Sequence, residues 1–211
     1  AVDTINFLVQ NKKKVFFDAE HFFDGYKEDS TTSLKILDAV ISTKVEKFVF
    51  CDTNGGTLPS EVHEIISDII IKYPKEKFGV HFQNDNGCAV ANSMVAVDLG
   101  LNHVQGTING YGERTGNADL CTLIPNLTIK KGYETIPEHS LGQLTQTANH
   151  IAELVNVAID SRHPYVGSSA FTHKAGLHAS GMAKDSSLYE HIDPAAVGNF
   201  TRTTVSELAG R

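Results

Sequence analysis

The chain has 211 residues, is 41% hydrophobic and 20% charged, and carries a formal charge of -7 with a pI near 5.8. That is the composition of a globular protein with room for one large domain or somewhat more. The acidic balance argues against nucleic acid or an anionic membrane surface as partner, and no apolar run approaches the ~20 residues that a membrane helix needs.

The first segment, "AVDTINFLVQNKKK", places its charges after its apolar stretch and lacks a small-residue cleavage site, so it does not read as a signal peptide. Residues 13–21, "KKVFFDAEH", form a short apolar run ending in acids, as a strand would. In 31–45, Leu34, Leu37, Ile41 and Val45 recur at helical steps. "EKFVFCDTNGG" (46–56) is a second strand. In 59–73, Val62, Ile65, Ile66, Ile69 and Ile70 mark a second helix, with Pro59 at its first turn and Thr57 or Thr53 as caps. "KFGVHFQND" (77–85) is a third strand, and the small-residue run 87–100 is a helix pressed close to a sheet. "NHVQGTINGYGE" (102–113) is the fourth strand. After about residue 135 the rhythm stops. Residues 137–159 predict one long amphipathic helix with Leu141, Leu144, Ala148, Ile151, Leu154 and Val155 on one side, and a His- and Gly-rich stretch follows.

Nearly all-apolar strands alternating with helices predict a parallel sheet covered by helices. A doubly wound sheet and a (β/α) barrel both fit that order. The barrel is favoured because polar residues stand at the C-terminal end of every strand: Asp18 and Glu20, Asp52 and Thr53, His81 to Asp85, Asn109 to Asn117. Barrels build their sites at that rim, whereas an open sheet uses only its switch point. Four strands make half a barrel. The expected organisation is therefore α/β: the C-terminal half of a TIM (β/α)8 barrel, strands 5–8, over residues 1–135, then a small, mostly helical subdomain over 136–211.

Three cysteines, Cys51, Cys88 and Cys121, are far apart and show no C-x-x-C spacing; they read as reduced thiols of a cytoplasmic protein. The N-x-T sequons at Asn126 and Asn199 read as chance.

His81 and Gln83 are two apart on a strand and share a face. An imidazole and a side-chain amide oxygen can both bind a divalent metal, the amide more weakly; a plain hydrogen-bonding histidine is the other reading. "NGYGERTGNADL" (109–120) spaces its glycines as G-x-G-x-x-x-G, which is not a dinucleotide fingerprint. It reads either as a loop whose backbone approaches a ligand, with Glu113, Arg114 and Asn117 as its polar groups, or as a turn closed by a salt bridge.

"FDAEHFFDGYK", "CDTNGGTLP", "VQGTINGYGERTGNADLCTLIPNL" and "YEHIDPAAVGN…VSELAGR", taken together and in order, resemble the citramalate synthase branch of the 2-isopropylmalate/homocitrate synthase family. The resemblance covers nearly the whole chain. It implies a TIM barrel followed by a helical subdomain, and condensation of acetyl-CoA with a 2-oxo acid held by a divalent metal (Mg2+, Mn2+ or Zn2+), pyruvate in this branch. It further implies His81, Gln83 and Asn117 as metal ligands and Glu20, Thr53 and Arg114 as substrate-binding residues. Glu113 and Arg114 match the G-E-R core of the loop, and Glu113 joins His178 and Tyr189 as the catalytic residues. In "GLHAS", His178 matches a histidine that enters the partner subunit's active site in a homodimer, with Tyr189 as its companion; a structural histidine in a Gly-rich loop is the alternative.

Two departures stand out. Gln83 occupies the position of a family histidine, which lowers metal affinity or shifts preference toward Mg2+ or Mn2+, with Asp85 near enough to assist. The D-x-x-L-R-D segment of the family's first strand, with its metal-binding Asp and oxyanion-stabilising Arg, has no counterpart, for neither Asp18 nor Asp24 lies in its context. This predicts a chain that is inactive alone and, with raw sheet edges and unclosed apolar surface, one that dimerises, pairs with the missing half or is poorly stable. Rival readings are 2-isopropylmalate or homocitrate synthesis with a larger oxo acid, a related lyase, and a non-catalytic half-barrel module.

Overall fold

The protein is described here by a computed structural model covering residues 1–174, 176–182 and 184–203. Two compact units divide between Asp119 and Leu120.

The first unit holds helix α1 (Val2–Gln10), strand β1 (Phe16–Ala19), helices α2 (Phe22–Glu28) and α3 (Ser30–Ile41), strand β2 (Lys47–Asp52), helix α4 (Pro59–Ile70), strand β3 (Phe78–Phe82), helix α5 (Ala89–Asp98) and strand β4 (Val104–Gln105). The strands pair in parallel in the order β1-β2-β3-β4, each following its predecessor in the chain. The registers Phe17↔Phe48, Phe48↔Phe78 and Val80↔Val104 align the predicted strand segments side by side.

Strand alternation divides the chemistry between two faces. On one, Phe48, Phe50, Phe78, Val80 and Phe82 pack with Leu37 and Val40 of α3, Val62, Ile66 and Ile69 of α4, and Ala89 and Ala96 of α5. The rings interlock there: Phe22–Phe50 at 4.6 Å and Phe50–Phe78 at 4.9 Å between centroids. Pro59 opens α4 as expected. Neither threonine caps it; instead the Glu61 carboxylate accepts from the Leu58 N–H at 2.7 Å. Thr57 is spoken for, since its N–H and hydroxyl both donate to Asp52.

The opposite face carries Asp18, Val49, Cys51, Gly79, His81 and Gln105, and it is curled. In a flat sheet β1 and β4 would lie about 14 Å apart, three strand spacings. Yet Gln105 Nε2 donates to Asp18 Oδ1 at 3.0 Å. Gly79 makes this curl possible, because a Cβ there would meet the His103 ring at 2.4 Å. Val49 and Cys51 are buried on this concave face as a result.

The second unit contains α6 (Leu120–Pro125), continued by a wide helical turn at Asn126–Lys130, then α7 (Leu144–Val155), β5 (Thr172–His173), α8 (Gly176–Met182) and β6 (Arg202–Thr203), with β5 and β6 parallel. The single long helix expected over 137–159 is corrected here. A 3-10 turn occupies Glu138–Gln143, and α7 stops at Val155, where Asn156 takes a left-handed conformation. Leu141, Leu144, Ala148 and Ala152 are buried, whereas Leu154 and Val155, placed on the apolar side by periodicity, are 68% and 50% exposed. Both belong to the last turn of α7, beyond Ala152, the last residue it buries.

Cys51, Cys88 and Cys121 form no disulfide; Cys51 and Cys121 are buried and Cys88 is half-buried. Asn199 Nδ2 donates to the carbonyls of Tyr165 and Gly167, so that sequon amide is engaged inside the fold. The motif end "VSELAGR" (205–211) lies outside the described residues.

Candidate active site

The C-terminal ends of β1, β2 and β3 and the loop after β4 gather their polar residues within the first unit. Thr53, one residue past β2, links two of them: its hydroxyl donates to Glu20 Oε2 at 2.6 Å and accepts from the His21 N–H at 2.7 Å. The backbone at His21 is left-handed (φ 56°), which turns the chain from β1 into α2 directly after Glu20.

Arg114 reaches across from the 109–117 loop. Its Nε and Nη2 grip both oxygens of Asp85 at 2.8 and 2.9 Å, and Nη2 also donates to the Thr53 carbonyl at 2.7 Å. A planar guanidinium matches a carboxylate in this two-pronged way, as an ammonium cannot. The hydrogen bond from Arg114 holds the Asp85 carboxyl below its usual range, and Asp85 in turn raises the Arg114 guanidinium. Asp85 is therefore committed to Arg114. The salt bridge of the turn reading is present, and Gly116 serves the loop's own folding, since a Cβ at its φ of 89° would lie 1.9 Å from the Gly110 carbonyl. Glu113 is exposed, and its carbonyl accepts from the Gly116 N–H at 2.8 Å.

Gln83 and Asn117 are brought together by backbone pairing, and His81 stands two residues before Gln83. His81 and Gln83 alternate on one side of the chain, and Gln83 forms an isolated antiparallel bridge with Asn117, which sets those two side chains beside each other. Gln83 Oε1 and Asn117 Oδ1 are both buried and accept no hydrogen bond. A buried carbonyl left so costs on the order of 1–3 kcal/mol, and a donor or a cation recovers it. His81 Nδ1 lies 2.9 Å from Gln105 Oε1, and Gln105 continues to Asp18. Among the described residues no group of three or more His, Cys, Asp or Glu forms a metal-binding cluster. This corner is of another kind: one imidazole with two orphaned amide oxygens, a set that suits a divalent cation with a taste for oxygen. Gln105 and Asp18 were missed as participants, because only the register His81↔Gln105 and the curl of the sheet bring them to His81.

In the second unit, His178 and Tyr189 stack with centroids 4.2 Å apart and planes 28° from parallel. Gly181 leaves space for the tyrosine; a Cβ there would meet its ring at 2.5 Å. His173 stands 6.3 Å from both rings, and its Nε2 lies 3.6 Å from the buried Glu190 carboxylate, which also accepts from Thr201 at 2.5 Å. His173 and Glu190 were not singled out from the sequence, although both flank the residues that were.

Residues 1–151 match the HMGL-like family model, and residues 165–211 match that of the homocitrate synthase post-HMGL domain-like segment. The chain belongs to the HMGL-like family. The motif resemblance to its 2-isopropylmalate/homocitrate synthase members is borne out. Five (R)-citramalate synthases are 44–49% identical over 99% of this chain, that of Aquifex aeolicus at 49%. A 2-isopropylmalate synthase of Pyrococcus furiosus is 32% identical over 94%. The chain spans about 40% of the length of these relatives. Hydroxymethylglutaryl-CoA lyase from Pseudomonas aeruginosa superposes with a TM-score of 0.63 over 75% of this chain and 55% of its own, at 16% identity, which speaks for the fold. The fold is the partial TIM barrel expected, with a helical subdomain after it. Among the described residues no helix is long and apolar enough to cross a membrane.

Proposed function

We propose that this chain carries part of the catalytic apparatus of an acyltransferase that condenses acetyl-CoA with pyruvate to give citramalate and CoA, in branched-chain amino-acid biosynthesis. The observation that carries this reading is the gap in similarity: 44–49% identity to (R)-citramalate synthases, against 29–34% to 2-isopropylmalate and homocitrate synthases. Residues 1–135 are assigned to the barrel and 136–211 to the subdomain.

In this reading His81, Gln83 and Asn117 hold the cation, and the two orphaned amide oxygens support that role. A divalent cation bound there (Mg2+, Mn2+ or Zn2+) would supply polarisation of the keto carbonyl. Thr53 and Glu20 form a hydrogen-bonding edge for the oxo acid, and Arg114, anchored by Asp85, brings positive charge to the same rim for the carboxylate. His178 removes a proton from the acetyl-CoA methyl group, assisted by Tyr189 and Glu113. The carbon so exposed bonds to the keto carbon, and the keto oxygen takes up a proton to become the hydroxyl. Water then cleaves the thioester, leaving a carboxylate and the CoA thiol. The subdomain is proposed to act in the active site of a second copy within a homodimer.

The test uses the whole protein that contains these residues. Thiol release and product identity are followed with pyruvate, 2-oxoisovalerate and 2-oxoglutarate. Citramalate formation with pyruvate preferred by two orders of magnitude or so in kcat/KM is expected, the scale of discrimination a shaped pocket gives. Preference for either larger acid overturns the assignment.

A further inference from the structure

We propose that Gln105 is a positioning residue which, held by Asp18, fixes His81 as the tautomer protonated on Nδ1 and so presents Nε2 as the metal-binding nitrogen. The proposal rests on the reading of His81 as a metal donor and adds two residues to that site.

The hydrogen-bond chain runs in one direction only. An ionised carboxylate accepts and never donates. The Gln105 group 3.0 Å from Asp18 Oδ1 must therefore be the amide NH2. That leaves the Gln105 carbonyl oxygen as the group 2.9 Å from His81 Nδ1. A carbonyl oxygen also only accepts, so the proton sits on Nδ1. In neutral imidazole the lone pair then belongs to Nε2. Asp18 thus settles the orientation of an amide that would otherwise fit either way round, and the amide settles the imidazole.

The geometry that makes this possible is specific. His81 and Gln105 are register partners on adjacent parallel strands, so their side chains share the concave face. Asp18 belongs to β1, at the far edge of the sheet, and meets Gln105 only because the sheet curls. Three strands therefore converge on one ring nitrogen. A ligating histidine generally has its other nitrogen held in this manner, and losing the holder costs about 10–100-fold in metal affinity.

The experiment is long-range 1H–15N correlation of the histidine-labelled whole protein that contains these residues at pH 8, where an ordinary imidazole is neutral, with His81 identified by its loss in His81→Gln. Titration with Mn2+ alone accompanies it. Wild type is expected to show a protonated Nδ1 and an unprotonated Nε2 at His81. Gln105→Leu is expected to lose that bias and to weaken Mn2+ binding by about 10–100-fold. Gln105→Glu, still a pure acceptor toward Nδ1, is expected to keep the Nδ1-protonated tautomer. Combined with Asp18→Asn, whose introduced amide donates to the introduced carboxylate, it is expected to keep both the tautomer and Mn2+ binding. A thermal melt of each variant verifies folding. An Nε2-protonated His81 in wild type, or a tautomer and affinity indifferent to Gln105→Leu, overturns the proposal. A correct tautomer in a chain that binds no Mn2+ upholds the role of Gln105 toward the ring and overturns the metal reading, so the two failures are separable.

Discussion

Phe16 and His103 stack with centroids 5.2 Å apart and planes 7° from parallel, although one lies on β1 and the other leads into β4, the two edges of the sheet. The stack closes the concave face, and it traps His103 Nε2 without a hydrogen-bond partner. Burial, with the Lys47 ammonium second and opposed by Asp18, holds the His103 pKa below its ordinary value. The unfolded chain therefore takes up this proton first as pH falls. The contribution of His103 to stability is full above the ordinary histidine pKa near 6.5 and is lost as pH falls from there toward the folded value. His103→Phe keeps the stack and removes the titration. Urea midpoints at pH 7.5 and 5.5 are expected to differ less in this variant than in wild type; an equal difference would show that His103 does not titrate on unfolding. His191, lowered by burial and by Lys130, continues to contribute its own share.

Phe50 is fully buried between Phe22 and Phe78 on the helix-covered face. Truncating a ring so enclosed leaves a cavity that its aromatic neighbours cannot collapse to fill. Phe50→Ala should cost about 3–5 kcal/mol, read from urea unfolding monitored by circular dichroism. A loss below about 1 kcal/mol, the scale of an ordinary substitution, would mean that the cluster repacks.

Gln83 offers an oxygen where an imidazole would offer nitrogen. Gln83→His should raise Zn2+ affinity on the order of tenfold, the lower end of what a change around a metal ligand produces, while Mn2+ affinity moves much less, because zinc gains more from nitrogen. Calorimetric titration with each metal gives the ratio. An unchanged ratio would place Gln83 outside the coordination shell.

Arg114 makes three hydrogen bonds that a lysine cannot reproduce together. All of them lie at the exposed rim, so Arg114→Lys should leave the melting temperature of the whole protein nearly unchanged. Its kcat/KM for the oxo acid should fall by on the order of tenfold or more, the value of one lost charged contact. A drop in melting temperature with intact kcat/KM would assign Arg114 a structural role alone.

The apolar runs at 13–21, 46–56 and 77–85 announce β1, β2 and β3, since each is short, β-branched or aromatic, and ends in polar residues. The helices α3 and α4 follow from apolar steps of three and four, and α5 from its run of small residues. Helix endings were less readable. The pattern in 137–159 continues through Leu154 and Val155, and only Asn156, a residue type that tolerates the left-handed conformation, marks where the backbone turns. A hydrophobic stripe records what a helix is able to bury, and tertiary packing decides how much of it is buried.

Local order placed His81 and Gln83 on one face of a strand and Glu20, Thr53 and Arg114 at strand ends and in the loop; the roles proposed for them came from the family resemblance. Their partners were not readable from local order. Asp85 is close in sequence to Gln83 but is drawn to Arg114, and Gln105 and Asp18 are 87 residues apart. Alternation is a property of one strand and survives in the sequence. Register between strands and the curl of a sheet come from packing Phe16 against His103 over the bare backbone of Gly79, and that long-range fit exists only once the chain has folded.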